Sequence, residues 1–425
     1  MSVYGDRDMN VLIIMTDQQR ADTLDGPNTP GMNKLASQGV RFNCFAQSPQ
    51  CQPSRAAFWT GRYPSSLKLW WNEMSLPQNE QTLANMLCSI QYDTGYFGKW
   101  HLDKDSTTLG HFGFDPLNSY LMEDWCEGKD LPTRDAGVAR REYLEIMKQK
   151  AWASKLSNRL YQHEDVIAEK AVKFMSKSKK LGRKFMCTIG FRGPHPPYTA
   201  PPPYCDLYDP ASFSVPRDSK MYDGKKLTED DWRIIKSQYY GNIAWIDDNI
   251  VRIMEYVDRK APDTVVIFTS DHGEMLGDHG YFAKGLYAYD PTVAVPLVIR
   301  APGFEARYYR EITQHIDVVP TVLEMLGQER SPGIQGKSLV GAMKTGEVVN
   351  QFALSMMGYE PRLKMIRNHR FKYWNYNGHE YLFNLIKDPD ESSNKASTLP
   401  GPLSAMRLHM TNCLIGAEDR LPIPQ

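Results

Sequence analysis

The sequence predicts an α/β fold: a large mixed, mostly parallel sheet sandwiched by helices, with a small C-terminal α+β subdomain. Three observations carry that expectation. Continuous apolar runs end abruptly in polar residues, as strands buried on both faces of a parallel sheet do. Helical patterns lie between those runs, so strand and helix alternate along the chain. After Ala353 the texture changes to short alternating runs separated by turn residues.

Asn10–Met15 (NVLIIM) is the first such run, followed at once by Thr16 and Asp17. Thr264–Phe268 (TVVIF) is the second and leads into Thr269, Ser270, Asp271 and His272. Phe185–Gly190 and Leu297–Arg300 complete the set. The clearest helix covers Trp232–Val257, where Ile235, Tyr239, Ile243, Ile246, Ile250 and Ile253 recur at spacings of three and four and share one face. Near the C-terminus, Leu363–Ile366, Phe371–Trp374 and Tyr381–Asn384 read as strands joined by turns at Asn368-His369 and Asn377-Gly378. Leu403–Leu414 reads as a final helix. The expected division is 1–350 for the main α/β unit and 351–425 for the subdomain. The stretch Thr199–Tyr208 (TAPPPYCDLY) is a proline-rich loop.

Composition removes several classes of function. The 425 residues carry 50 Lys+Arg against 50 Asp+Glu, and 41% are hydrophobic. That balance excludes a disordered chain and gives no basic surplus to hold nucleic acid or an anionic membrane. No apolar run reaches the ~20 residues of a spanning helix. The seven cysteines form no C-x-x-C pair, which argues against a zinc ribbon or a dithiol motif. The opening MSVYGDRDMNVLIIM reads as a first strand, not a leader, so a cytoplasmic location is expected.

In doubly wound sheets, ligands bind beyond the carboxyl ends of the strands. Asp17 and Gln18 stand after one strand, Asp271 and His272 after another. Oxygen and imidazole donors from separate strand ends are what a shared metal site needs, and oxygen-rich ligation suits Ca²⁺ or Mg²⁺. Cys51–Pro64 (CQPSRAAFWTGRYP) is the most informative stretch. Pro53 marks a helix start, which places Cys51 at the N-terminus, where the dipole favours an anion. Arg55 lies one turn further on.

The pattern Cys51-x-Pro53-Ser54-Arg55, continued by Thr60-Gly61-Arg62, resembles the signature of type I sulfatases, members of the alkaline phosphatase superfamily. Gly95–Leu102 (GYFGKWHL), Gly193–Tyr198 (GPHPPY) and Phe268–Gly285 (FTSDHGEMLGDHGYFAKG) resemble further family segments, in the family's order. The resemblance implies an alkaline-phosphatase-like fold and hydrolysis of a sulfate ester. It implies that Cys51 is oxidised to formylglycine by a maturation enzyme and that one hydroxyl of the aldehyde hydrate attacks sulfur. Asp17, Gln18, Asp271, His272 and modified Cys51 would hold a divalent cation, calcium by family, with Mg²⁺ or Mn²⁺ as alternatives. Arg55, Lys99 and Lys284 would clamp the anionic oxygens. His195 would protonate the leaving oxygen. His101 would deprotonate the second hydroxyl, so that sulfate leaves and the aldehyde returns.

Gln18 departs from the adjacent aspartate pair of some members, and His272 from an asparagine. Both variants also suit phosphonate monoester hydrolases and phosphodiesterases of the superfamily, the first alternative. Lys99 together with His101 favours sulfate. A catalytically silent pocket for anionic glycans is the alternative of another class. The substrate expected is a small-molecule or saccharide sulfate ester, its alcohol set by the loops Ser106–Lys150 and Tyr204–Asp230. Asp278 and His279 are expected to support the site or its loop. Trp70 and Trp71, followed by Asn72, are read either as a stacking platform or as core. His369–Tyr376 is read as a pocket wall or a solvated hairpin.

Overall fold

The computed structural model describes residues 9–103, 106–129, 134–149, 153–156, 162–222, 225–358 and 363–418. The first eight residues of the opening stretch, and parts of both expected substrate loops, lie outside the described residues.

The main sheet has nine strands: β1 (Asn10–Thr16), β2 (Val40–Phe45), β3 (Asp93–Gly98), β4 (Tyr120–Leu121), β5 (Phe185–Gly190), β6 (Thr264–Ser270), β7 (Ala294–Val295), β8 (Leu297–Arg300) and β9 (Arg307–Gln314). They lie in the order β7-β2-β8-β6-β1-β5-β3-β4, and β9 pairs with β2. The central strands β6, β1, β5, β3 and β4 are parallel; β8 runs antiparallel to β6. The apolar runs at β1, β5 and β6 are buried along their whole length, as expected for strands covered on both faces.

Successive residues of β1 enter different cores. Val11, Ile13 and Met15 pack with Phe58, Trp59, Val318 and Val322. Leu12 and Ile14 pack with Val166, Ile167, Ile235 and Tyr239. This period-two division follows from the pleat and places the helices on opposite faces. One face carries α2 (Cys51–Thr60), which follows α1 (Pro30–Gln38). The other carries α3 (His163–Lys180) and α4 (Glu229–Lys260). The six periodic residues of α4 are all buried, and Thr228 opens the helix with a capping box to Asp231. A further helix, α5 (Val318–Met325), covers the α2 face.

Register brings the catalytic candidates to one edge. Thr16 lies opposite Ser270, and Met15 opposite Gly190, which also faces Gly98. The next residues, Asp17, Asp271, Phe191 and Lys99, therefore leave the sheet in one layer. Gly98 is needed there. Its φ is 110°, and a Cβ would meet the Gly190 carbonyl oxygen at 2.0 Å.

The C-terminal sheet is antiparallel in chain order: β10 (Ala353–Met357), β11 (Leu363–Arg367), β12 (Phe371–Tyr376) and β13 (His379–Asn384). Asn377 and Gly378 both have positive φ, the signature of the tight hairpin turn their sequence suggests. One face packs on Phe45, Val293 and Ile312 of the larger unit. The other packs on α6 (Pro400–Ala417), which contains the expected Leu403–Leu414 helix.

Two expectations are corrected. His369–Tyr376 is no solvated hairpin: the Lys372 side chain is fully buried between Asp290 and Glu391, both at 2.8 Å. Charge pairing allows that burial. The segment 106–149 also holds regular structure, with helices at Met122–Glu127 and Arg134–Gln149. Among the described residues, no helix is long and apolar enough to cross a membrane.

Candidate active site

Helix α2 carries the cysteine signature and is buried from Cys51 to Thr60. It ends at Gly61, whose φ of 67° suits a left-handed cap. Its first turn is fastened to β6: Ser54 Oγ donates to the Asp271 carbonyl at 2.5 Å. The Cys51 sulfur lies beyond the strand ends, 3.1 Å from His272 Nε2, 3.0 Å from Lys284 Nζ, 3.7 Å from Lys99 Nζ and 3.8 Å from Asp17 Oδ1. His101 and His195 lie close enough to act on the sulfur electrostatically.

Arg55, one turn into α2, bridges the two strand-end carboxylates. Nε donates to Asp271 Oδ2 at 2.8 Å and Nη2 to Asp17 Oδ2 at 3.3 Å. Its Nη1 reaches the Lys99 carbonyl at 2.9 Å, which Tyr96 also caps through its hydroxyl at 2.6 Å. Lys99 Nζ pairs with Asp17 Oδ2. Arg55 is thus a structural tie as well as a cation beside the site, because three of its contacts are already taken.

Two histidines are oriented by main-chain carbonyls. His272 Nδ1 lies 2.8 Å from the Gly273 oxygen, and His195 Nδ1 lies 2.7 Å from the Pro196 oxygen. A carbonyl can only accept, so Nδ1 carries hydrogen in both rings and Nε2 faces the site. His101 has a φ of 52°, and its Nδ1 is buried without a partner among the described residues.

The electrostatics of the cluster are strongly split. Burial alone would raise the Cys51 thiol, but Lys284, Lys99 and His272 outweigh it and hold the sulfur well below the usual thiol range. Burial and the Cys51 charge push Asp17 up, yet Lys99, His195 and Arg55 bring it far down. Burial and the Lys284 charge lower His272, but Asp271 and Cys51 win and raise it. Burial, with Lys284 and Lys99, pushes His195 down to about 3 despite Asp17. The anionic side of the cluster therefore attracts positive charge at His272, and the cationic side repels it at His195.

The donors fit a divalent cation. Ligand atoms of Asp17, Cys51, Asp271 and His272 all lie within 4.8 Å of one another. Two carboxylates and an imidazole whose Nε2 is turned inward are donors that a divalent cation accepts, and the Cys51 sulfur lies among them. Gln18 adds a carbonyl nearby, its Oε1 accepting from Lys284 Nζ at 2.8 Å.

All ten residues singled out from sequence, from Asp17 to Lys284, meet in this cluster. Asp278 and His279 stay outside it: Asp278 pairs with Arg20 at 2.7 Å, and His279 stacks on Tyr289 at 3.9 Å. Trp71 is 43% exposed, so the reading of both tryptophans as core is wrong for that residue; Trp70 packs beside Leu354 and Met356. Sequence reasoning missed Glu274, which lies inside a segment already singled out. It also missed Tyr96, Tyr198 and His315, whose Nε2 is 2.9 Å from Thr269 Oγ1 behind the site. An acid placed between Gly273 and Met275 in a buried turn was the available signal for Glu274.

Residues 9–328 match the family described as Sulfatase, and residues 277–400 match the one described as N-sulphoglucosamine sulphohydrolase, C-terminal. The chain is 27% identical to an uncharacterized sulfatase YidJ of Escherichia coli, over 98% of this chain and 88% of that one. It is 29% identical to a choline-sulfatase of Rhizobium meliloti, over 94% and 84%. Among solved structures, a putative sulfatase yidJ from Bacteroides fragilis superposes with a TM-score of 0.79 at 23% identity, covering 98% and 97%. The phosphonate monoester hydrolase of Agrobacterium radiobacter gives 0.78 at 24%, covering 96% and 95%. Relatives in this group are sulfuric ester hydrolases by name, and the match spans most of the sheet and every segment of the cluster: the chain belongs to the sulfatase family.

Proposed function

We propose that the protein hydrolyses a sulfate ester to an alcohol and sulfate, using formylglycine made from Cys51 and a divalent cation beside it. The observation that carries this reading is the meeting of Lys99, Lys284, His101 and His195 around the Cys51 sulfur, with carboxylates behind it. A bound cation would supply Lewis-acid charge, and the aldehyde hydrate would supply a nucleophilic hydroxyl and a second hydroxyl as exit route. Asp17, Gln18, Asp271 and His272 would hold the cation. Lys99 and Lys284 flank the sulfur and would bind the sulfate oxygens, whose charge grows as the ester bond breaks. Burial, together with the two lysines, keeps His195 unprotonated; an anionic ester between those lysines would favour its protonated form, which gives a proton to the leaving oxygen. His101 removes a proton from the second hydroxyl.

The substrate class follows from the relatives' names as a proposal: a choline, aryl or saccharide sulfate. The test is a panel of these esters, with an aryl phosphonate monoester as comparison, assayed on protein whose Cys51 is verified as converted by peptide mass. A kcat/KM for a sulfate ester that exceeds the phosphonate value supports the reading. A phosphonate preference by orders of magnitude would replace it with the hydrolase alternative, and no turnover of any ester would leave an anion-binding protein.

A further inference from the structure

Gln18 raises a question of orientation, since its carbonyl is useful toward a cation and its amide nitrogen is not. Lys284 Nζ can only donate, so the Gln18 atom 2.8 Å from it must be Oε1. The amide nitrogen then points the other way, and it donates to Glu274 Oε2. Glu274 is fully buried. Its Oε2 also accepts from the Tyr198 hydroxyl at 2.8 Å, and its Oε1 from the Leu276 main-chain N–H at 2.8 Å. The main chains of the two segments are locked as well. Tyr239 OH donates to the Gln18 carbonyl at 2.9 Å, while Arg20 Nη1 reaches the Glu274 carbonyl at 3.1 Å.

We infer that Glu274 is a positioning residue that fixes the Gln18 amide with its carbonyl toward the cation site, and that it is the reason position 18 is glutamine. An acid at 18 would set two carboxylates face to face in a buried space. The glutamine keeps the negative charge one residue behind the ligand shell while still offering an oxygen at the front. This inference rests on the proposed cation site. Glu274→Gln cannot reproduce the bonding. Three donors converge on its two oxygens, and an amide offers only one acceptor atom, so an N–H must meet an N–H.

The test is direct titration of Ca²⁺ and Mn²⁺ by calorimetry on the full chain, with Tm and kcat/KM recorded alongside. E274Q is expected to weaken cation binding about 10–100-fold, the usual cost of losing a partner of a ligand. Q18E is expected to weaken it too, through repulsion by Glu274. The exchanged pair Q18E/E274Q re-forms an acid–amide contact with the charge on the ligand, so it is expected to bind the cation at least as tightly as the unmodified pair. Wild-type affinity in E274Q, or an exchanged pair no better than Q18E, would overturn the inference. If E274Q fails to fold, the comparison of Q18E with the exchanged pair decides alone. D271N is the control for the site itself: loss of binding there with none in E274Q refutes only the role of Glu274, whereas intact binding in D271N refutes the cation site and this inference with it.

Discussion

Arg55 shows what a single buried charge must satisfy. Its guanidinium is fully buried and meets two carboxylates that are equally buried. Replacing the arginine by a neutral residue would break both buried pairs at once, a loss of roughly 3–5 kcal/mol. The arrangement therefore binds fold and site together at Asp17 and Asp271. His195 is the opposite case, a group kept neutral by burial and by the nearby Lys284 and Lys99 charges. H195A is expected to lower kcat/KM about 10²–10⁴-fold on an alkyl sulfate, whose poor leaving group needs the proton, and much less on a nitrophenyl sulfate. Equal losses on the two esters would remove His195 from proton transfer.

At the level of elements, most of what positions the site was legible in the sequence. The unbroken apolar runs of β1, β5 and β6 gave away central strands, and the polar residues after them marked the edge where the candidate residues gather. The α4 periodicity was equally clear. What escaped were elements without such a contrast. Strand β2 (VRFNCF) alternates only partly buried with buried residues, and β9 (RYYREITQ) starts exposed. Their places come from pairing with distant strands, which no local pattern announces. Lys372 was misread for a related reason, since its partner Asp290 lies far away in the chain. Glu274 escaped because the role of an acid depends on which atoms face it. The turn between β9 and α5 offers a test away from the active site. Burial raises Asp317 to about 6, although Gln314, Lys337 and Asn350 donate to its oxygens. The folded state therefore holds this proton more tightly than the unfolded one, whose carboxyl titrates near 3.9. Its contribution favours folding as pH falls through 6 toward 4, and is lost as pH rises. From pH 7 to 5 the wild type is expected to gain about 1 kcal/mol relative to D317N, read from denaturant melts at both values. An identical pH dependence for the two proteins would contradict this.

For the whole molecule, the C-terminal sheet is tied to the larger unit by packing and charge. Leu363, Met365, Trp374 and Phe383 share a core with Phe45, Val293 and Ile312, and Arg367 and Lys372 both pair with Asp290. The family match over 277–400 likewise runs across residue 350. A chain ending at 350 would expose that apolar face and leave Asp290 without its cations. It is expected to be insoluble, or to lose the cooperative melt of the full chain. A soluble truncated chain with the same Tm would show that 351–425 is an appendage.

The central claim is that the nucleophile is formylglycine derived from Cys51, held beside a cation at the strand ends. The most direct measurement compares preparations that differ in the fraction of Cys51 converted, quantified by peptide mass, against their turnover of one sulfate ester. The claim predicts activity proportional to that fraction, falling to background in the fully unconverted protein and in C51A. Full turnover by a preparation whose Cys51 is an intact thiol would contradict it.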